Sequence, residues 1–343
     1  GCLTERLQDV SKDATLTCFG QEFNPETYAI AKADMLIKGG NASGMKYGDT
    51  LSDDAFGGYE FDYVISNPPF GIDWKREKSQ VEAEAKRGYD GRFGPGLPAI
   101  SDGQMLFMLN GVKKLKEGSG RMAIIQNGSS LFTGDAGSGA SEIRRYLIHE
   151  DLVEAIVQLP TDLFYNTGIS TYIWVLTKGK LMSRSGRVQL IDASKCFVKR
   201  RKNIGSKRVD LDDACIDLIL KAYEGFDQNE VYTADDLVVE SKVFKNDFFG
   251  FTKVTVETAQ TDANGKLLLK KGKKLPVKGA TDSEIIPLSD DIDAYMAKNV
   301  LPYNPLAYID PAKDKIGYEI PFTRHRLHPS SRTSRRWRQR KLC

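Results

Sequence analysis

The sequence predicts an α/β fold: a mostly parallel sheet covered by helices on both faces, followed by a smaller, less regular α+β region. Three observations predict it. Short apolar runs alternate with amphipathic helical stretches from Leu16 to Thr177. One buried run stops at Asn67-Pro68-Pro69-Phe70, where two prolines forbid either regular structure. After Lys178 the alternation gives way to longer, mixed segments.

The elements follow in order. Leu16–Glu22 alternates weakly and reads as a strand. Asn24-Pro25-Glu26 opens a helix that runs to about Ile37 and stops before Gly39-Gly40, with Asn24 suited to the cap and Pro25 to the first turn. Phe61–Ser66 is a short apolar strand. Residues 71–102 are polar and glycine-rich and read as a long loop with a helical piece near Gln80–Arg87. A loop of that length is functional or disordered. Gly103–Leu115 is a helix with Met105, Leu106, Leu109 and Val112 on one face. Arg121–Gln126 is a strand, Ser141–His149 a helix, and Leu152–Leu159 and Thr171–Thr177 are strands. Only a loop separates the last two, which fits an antiparallel hairpin at the sheet edge. Beyond it, Val188–Ile191 reads as a strand, Cys196–Lys207 as a basic connector and Leu211–Tyr223 as a helix. Phe244–Glu257 and Leu267–Val277 read as strands around the turn at Asp262–Gly265. The expected division is 1–180 for the first domain, 181–325 for the α+β region and 326–343 for a disordered basic tail.

Composition excludes several classes. The 343 residues are 41% hydrophobic and 28% charged, as in an ordinary soluble protein. No apolar stretch approaches the roughly 18–20 residues of a membrane span, and Gly1–Val10 does not resemble a secretory signal. Five scattered cysteines without a C-x-x-C pair point to reduced thiols in a cytoplasm. The three histidines form no metal pattern with them, so no metal site is expected. Net charge is +3, yet eight basic and no acidic residues fall between Phe322 and Cys343, leaving the rest with an acidic excess of five. The body is therefore not a basic nucleic-acid binder on charge alone.

The motif with the most chemistry is Asn67-Pro68-Pro69-Phe70. Ligands of open α/β sheets bind beyond the carboxyl ends of strands. A rigid Pro-Pro turn there fixes the Pro68 carbonyl and the Asn67 amide oxygen, two acceptors suited to the two N–H donors of an exocyclic amino group. Phe70 offers a flat face to an unstacked base; the bland alternative is a plain turn with a buried ring. Glu22 ends the first strand, where an acid can accept from two ribose hydroxyls. Asp49, in Gly48-Asp49-Thr50-Leu51, can accept from an adenine amino group or simply shape a turn. Phe164 and Tyr165, on the loop before Thr171, can cover the far side of a base or pack on the sheet. Gly118–Ala123 and Gly94–Ala99 both fit G-x-G-x-x-A but lack the strand-to-helix setting that a dinucleotide loop needs. No G-x-x-x-x-G-K-[ST] loop occurs, which excludes an ATP-driven motor, and no cysteine follows a proline, which argues against cytosine-C5 methylation.

At these residues the sequence resembles a known family. Asn67–Phe70 is similar to the fourth motif of the methyltransferases that act on adenine N6, cytosine N4 or glutamine N5. With Gly20-Gln21-Glu22, Gly48–Leu51 and Thr167-Gly168-Ile169-Ser170-Thr171, and with Val300–Tyr303 and Gly317–Phe322, it looks like the M subunit of type I restriction-modification systems over roughly residues 1–325. The resemblance implies a Rossmann-like, S-adenosylmethionine-dependent methyltransferase sheet and site-specific methylation of adenine N6 in DNA. It makes Asn67, Pro68, Pro69 and Phe70 catalytic and Glu22, Asp49, Thr50 and Asn67 cofactor-binding, and it stacks Phe70, Phe164 and Tyr165 on the target base. It also implies double-stranded DNA, a specificity subunit, a second M subunit and a restriction subunit as partners, and no membrane.

Two departures qualify the resemblance. The family carries a strand and a glycine-rich loop ahead of the first helix, and Gly1-Cys2-Leu3 resembles only the end of that loop, so the sheet is expected to be incomplete at the N-terminus. After His325 the likeness ends, and the arginine-rich tail reads either as a phosphate-binding arm or as a foreign end. The rival readings are glutamine N5 methylation of a protein, against which the late segments weigh, and a non-catalytic remnant that docks to a specificity subunit.

Overall fold

β1 (Gly20–Glu22) occupies only the end of the expected first strand. It pairs in parallel with β2 (Met45–Tyr47), a strand too short to show in the sequence pattern. Between them runs α1 (Pro25–Ile37), capped by the Asn24 carboxamide oxygen, which accepts from Glu26 N and Thr27 N at 2.9 and 3.0 Å. The structure, a computed structural model, describes residues 5–7, 9, 11–226 and 228–322. The basic tail at 326–343 lies outside the described residues.

The main sheet is built from β3 (Tyr63–Ser66), β4 (Arg121–Asn127), β5 (Val153–Gln158), β6 (Thr171–Thr177), β7 (Arg187–Asp192), β10 (Asn229–Ala234) and β11 (Leu237–Lys245). Their order is β10-β11-β7-β5-β6-β4-β3. β3 pairs in parallel with β4, and β5 with β7, while β6 and β11 are antiparallel to their neighbours. The sheet is therefore mixed rather than mostly parallel by pairing. The β5–β6 hairpin is antiparallel as expected, but it does not lie at the sheet edge. β6 is held between β5 and β4, because β7 adds to the far side of β5 and the β10–β11 hairpin extends it. The expected division at residue 180 falls inside this one sheet.

Period-two alternation sorts the core. Tyr172, Trp174 and Leu176 of β6, with Ile156 and Leu190, face α3 (Gln104–Lys113) and α4 (Gly139–His149). Val157 and Ile191 face the opposite way, onto α5 (Asp213–Gly225) through Cys215, Leu218 and Ala222. Met105, Leu106, Leu109 and Val112 all enter the core as the helical spacing requires. The sheet is uncovered near β3, where Tyr63 and Ile65 are 69% and 61% exposed. Among the described residues no strand pairs with the outer edge of β3, and β1 pairs only with β2.

The expected basic connector Cys196–Lys207 is not a plain connector. With the residues up to Asp210 it forms the hairpin of β8 (Val198–Ile204) and β9 (Lys207–Asp210). The expected Phe244–Glu257 strand is broken at the turn Asn246–Phe249, which separates β11 from β12 (Gly250–Thr258). Leu267–Val277 holds only the small pair β13 (Leu269–Lys270) and β14 (Lys273–Lys274). β12 anchors an antiparallel C-terminal sheet with β15 (Asp282–Pro287), β16 (Ala307–Ile309) and β17 (Lys315–Tyr318). Its own core is Val254, Val256, Ile286 and Ala307 packed on Met296 of α6 (Ile292–Asn299).

Arg144 of α4 ties this sheet to the first. Its guanidinium is fully buried and donates to the Tyr318, Ser130 and Thr133 carbonyls at 2.6, 3.1 and 2.9 Å. Burial draws its pKa down to about 10. Arg144→Met keeps the bulk and strips three carbonyls of their donor, two of them in buried bonds at a cost of about 1–3 kcal/mol each. Thermal denaturation should show a loss of at least ~2 kcal/mol; an unchanged midpoint would refute this role.

Candidate active site

Strands β3, β4, β5 and β7 all end at the same side of the sheet. Asn67 follows β3 directly and is exposed, Pro68 is buried and Phe70 is half-buried. β4 ends at Asn127 opposite Thr171, the first residue of β6, so the loop 159–170 lies at this end too. A polar cluster forms beside it. Gln104, 1% exposed, donates through Nε2 to Asp102 Oδ2 and Asn127 Oδ1, both at 2.8 Å, and accepts from Asn127 N through Oε1 at 3.0 Å. The Ser129 hydroxyl donates to Asp102 Oδ2 at 2.7 Å. This network, unforeseen from the sequence, fixes the end of the long loop to the end of β4. Its only sequence signal is Gln104 at the head of an otherwise apolar helix face.

The loop's two aromatics divide. Phe164 packs with Leu163 and Ile173 against the second core. Tyr165 is 56% exposed and carries Lys207 Nζ 5.1 Å from its ring centroid. Tyr165 is thus the ring still available to a ligand.

In the separate parallel pair, Glu22 is the last residue of β1 and Asp49 comes two residues after β2. The Glu22 carbonyl accepts from Gly48 N at 3.1 Å, and its Oε1 from Asn24 N at 2.7 Å. Gly48 has φ +146°, and a Cβ there would come within 3.0 Å of Gln21 Nε2, so glycine permits the tight exit from β2. Asp49 accepts from Leu51 N at 2.8 Å and from the Ser52 hydroxyl at 3.1 Å. Burial, joined by the hydrogen bond and charge of Asp49, raises the Glu77 pKa. Asp49 and Glu77 therefore face each other across the start of α2 (Lys78–Ala85).

Thr50 is held from behind. Arg92, 8% exposed, donates to the Thr50 and Leu51 carbonyls at 2.6 and 3.1 Å and to Asn110 Oδ1 at 3.0 Å. It also forms a two-pronged pair with Glu84, Nε to Oε1 at 2.8 Å and Nη2 to Oε2 at 2.7 Å. Lys114 pairs with Asp54 in the same cluster. Residues 71–102 are therefore packed structure: Trp74 is buried and donates to the Ala99 carbonyl, and Phe93 is fully buried. Sequence reasoning missed Arg92 because nothing local marks an arginine as buried.

Among the described residues no group of three or more His, Cys, Asp and Glu side chains is placed to hold a metal ion. No described helix is long and apolar enough to cross a membrane.

The N-6 DNA Methylase family model matches residues 3–264. The chain belongs to this family. Among curated relatives, the HindI type I restriction enzyme methylase subunit of Haemophilus influenzae is 27% identical over 290 residues, 83% of this chain and 61% of the relative. The MjaIX type I methylase subunit of Methanocaldococcus jannaschii is 28% identical over 191 residues, 55% of this chain and 33% of the relative. The chain thus spans between a third and about three fifths of these relatives' length. A solved type I restriction-modification methyltransferase subunit from Streptococcus thermophilus superposes with a TM-score of 0.58 at 28% identity, covering 71% of this chain and 48% of that one. For a member of this family the sheet described above is the Rossmann-like methyltransferase sheet, with Asn67–Phe70 at the carboxyl end of one of its strands.

The Arg92–Glu84 pair makes a pH prediction. Burial alone would raise the Glu84 pKa, but the hydrogen bonds and charge of Arg92 outweigh it and hold the carboxyl below its usual 4.5. A lowered folded-state pKa gives stability that is present above the unfolded value and lost as pH falls through the folded one. Glu84→Gln should destabilise the protein by up to about 3 kcal/mol at neutral pH, since it leaves buried Arg92 only the more distant Asp54 carboxylate, 3.8 Å away, as counter-charge. The gap between variant and parent should close as pH drops below about 4.5. Urea denaturation from neutral to acid pH measures it, and a gap that stays constant with pH would refute the assignment.

Proposed function

We propose that the chain carries the methyl-transfer site of a type I modification enzyme, which methylates adenine N6 in double-stranded DNA with S-adenosylmethionine. The observation that carries this reading is the Asn67–Phe70 turn at the carboxyl end of β3, with Pro68 buried and Asn67 open to a ligand. A buried proline ring holds the backbone still, so the Pro68 carbonyl and the Asn67 amide oxygen form a fixed pair of acceptors. They suit the two hydrogens of an adenine amino group and would point its nitrogen lone pair outward. Because that nitrogen is out of reach inside a duplex, the base must be extruded. Phe70 stacks on one side, and Tyr165, the exposed aromatic of the neighbouring loop, covers the other.

S-adenosylmethionine supplies the electrophilic methyl group. The donor set fits its nucleoside half: Glu22 keeps an oxygen not used in its own turn, suited to ribose hydroxyls, and Asp49 suits an adenine amino group. Thr50 contributes backbone that Arg92 keeps in place. Rate acceleration comes chiefly from holding two reactants in line. The main partners are DNA and a specificity subunit that supplies sequence choice, with a second modification subunit and a restriction subunit completing the assembly.

In a complex competent for methylation, Asn67→Ala should cut single-turnover methylation by about 2.7–4 kcal/mol of barrier, the cost of one catalytic hydrogen bond. Affinity for S-adenosylmethionine should fall far less; near-normal turnover would sink the clamp. A second expectation concerns the chain alone. Glu22 ends β1 and Asp49 lies just past β2, and neither this pair's outer edge nor that of β3 has a described partner strand. Calorimetric titration should therefore find only weak S-adenosylmethionine binding, and tight one-to-one binding would contradict it.

A further inference from the structure

Resting on the reading of a DNA adenine site, we propose that the β8–β9 hairpin is the surface that grips the DNA backbone beside the extruded base. Val198–Asp210 carries six basic residues and one acidic residue, within a chain that has an acidic excess outside its C-terminal tail. Asp210 pairs with Arg200 and Lys207. Lys199, Arg201, Lys202 and Arg208 are all exposed, and among the described residues no ion pair engages them. Such a local excess of cations, turned to solvent on a body whose remainder is acidic outside the tail, suits a polyanion.

The position of the hairpin makes that polyanion DNA. Arg208 N donates to the Asp162 carbonyl at 2.8 Å and Ser206 N to the Tyr165 carbonyl at 2.9 Å. Lys207 lies over the Tyr165 ring. The hairpin turns at Gly205-Ser206, with φ +58° at Gly205, and a Cβ there would meet the Tyr165 carbonyl oxygen at 2.6 Å. Glycine both permits the turn and lets its tip press on the loop. The hairpin is thus stitched along the same loop that offers Tyr165 to the base, at the end of the sheet that holds Asn67. A duplex with one adenine in that site runs its phosphates past the loop. Lys199, Arg201, Lys202 and Arg208 meet them, while Lys207 stays on Tyr165. Contacts of this kind set position and affinity without reading sequence.

The test compares the full chain with K199Q/R201Q/K202Q/R208Q, by fluorescence anisotropy on a short duplex carrying one mismatched adenine, between about 50 and 200 mM salt. Each phosphate neutralised contributes about 0.9 to the slope of log affinity against log salt. The variant's slope should be shallower by about 3.6, so across this range the parent loses roughly 10²-fold more affinity than the variant. The weakening should be equal on unrelated sequences, S-adenosylmethionine binding should match the parent's, and the charge-conserving K199R/R201K/K202R/R208K should keep the parent's slope. Equal slopes for parent and K199Q/R201Q/K202Q/R208Q overturn the proposal, as does absence of DNA binding by the parent at the lower salt. Tighter binding of polyglutamate than of DNA, lost with the same four residues, overturns DNA as the ligand. Equal slopes together with loss of methylation in Asn67→Ala remove the hairpin alone; methylation that survives Asn67→Ala removes the adenine clamp beneath it.

Discussion

The antiparallel insertion of β6 between β4 and β5 decides where everything else falls. Its backbone pairs with β4 from Arg121 to Asn127 on one side and with β5 on the other. Because β6 runs against both, the loop that precedes it lies at the carboxyl ends of β4 and β5. That end already receives the Asn67–Phe70 turn from β3. One pairing thus brings together two segments about a hundred residues apart, one with hydrogen-bond acceptors and one with an exposed aromatic ring. Trp174, at the centre of β6 and fully buried, locks the strand against the helices on that face.

The second constraint is the burial of charge. Arg92 lies in a long polar stretch, yet its guanidinium is inside the protein, with donors directed to Glu84, Asn110 and the Thr50 and Leu51 carbonyls. A buried cation is tolerable only when nearly every donor has an acceptor. Satisfying it fixes α2, α3 and the segment after β2 relative to one another. Arg144 plays the same part between α4 and the C-terminal sheet. These two arginines add polar ties at junctions that the main hydrophobic core also spans, through Leu51, Val81 and Phe93 at one and Phe249 and Tyr318 at the other.

Charge and exposed apolar surface are distributed to match the reading of the site. The hairpin rich in lysine and arginine sits on the loop that carries Tyr165, although the chain outside its tail is acidic. At the other flank the uncovered side chains of Tyr63 and Ile65 border a strand edge without a described partner. The carboxylates proposed to bind the nucleoside, Glu22 and Asp49, lie at the ends of the small β1–β2 pair, outside the main ladder, so the proposal links the order of that edge to cofactor affinity.

The sequence by itself determined the elements whose signals are local. Asn24-Pro25 marked a cap because a side chain two or three residues away satisfies the first amides of α1. The spacing of Met105, Leu106, Leu109 and Val112 marked a buried helix face, and Asn67-Pro68-Pro69-Phe70 marked the strand end, because proline's geometry needs no tertiary context. The motifs also carried the family, since their chemistry is written in a few contiguous residues. Tertiary structure alone decided what depends on distant partners: the mixed order of the sheet, the pairing of β2, and the break between β11 and β12. It also separated Phe164, which packs inward, from Tyr165, which does not. The same holds for Arg92 and for the hairpin at 198–210, which looked like a polar loop residue and a basic connector. An arginine is read as solvated until its acceptors arrive from elsewhere in the chain, and a short basic strand shows no apolar alternation by which to announce its pairing.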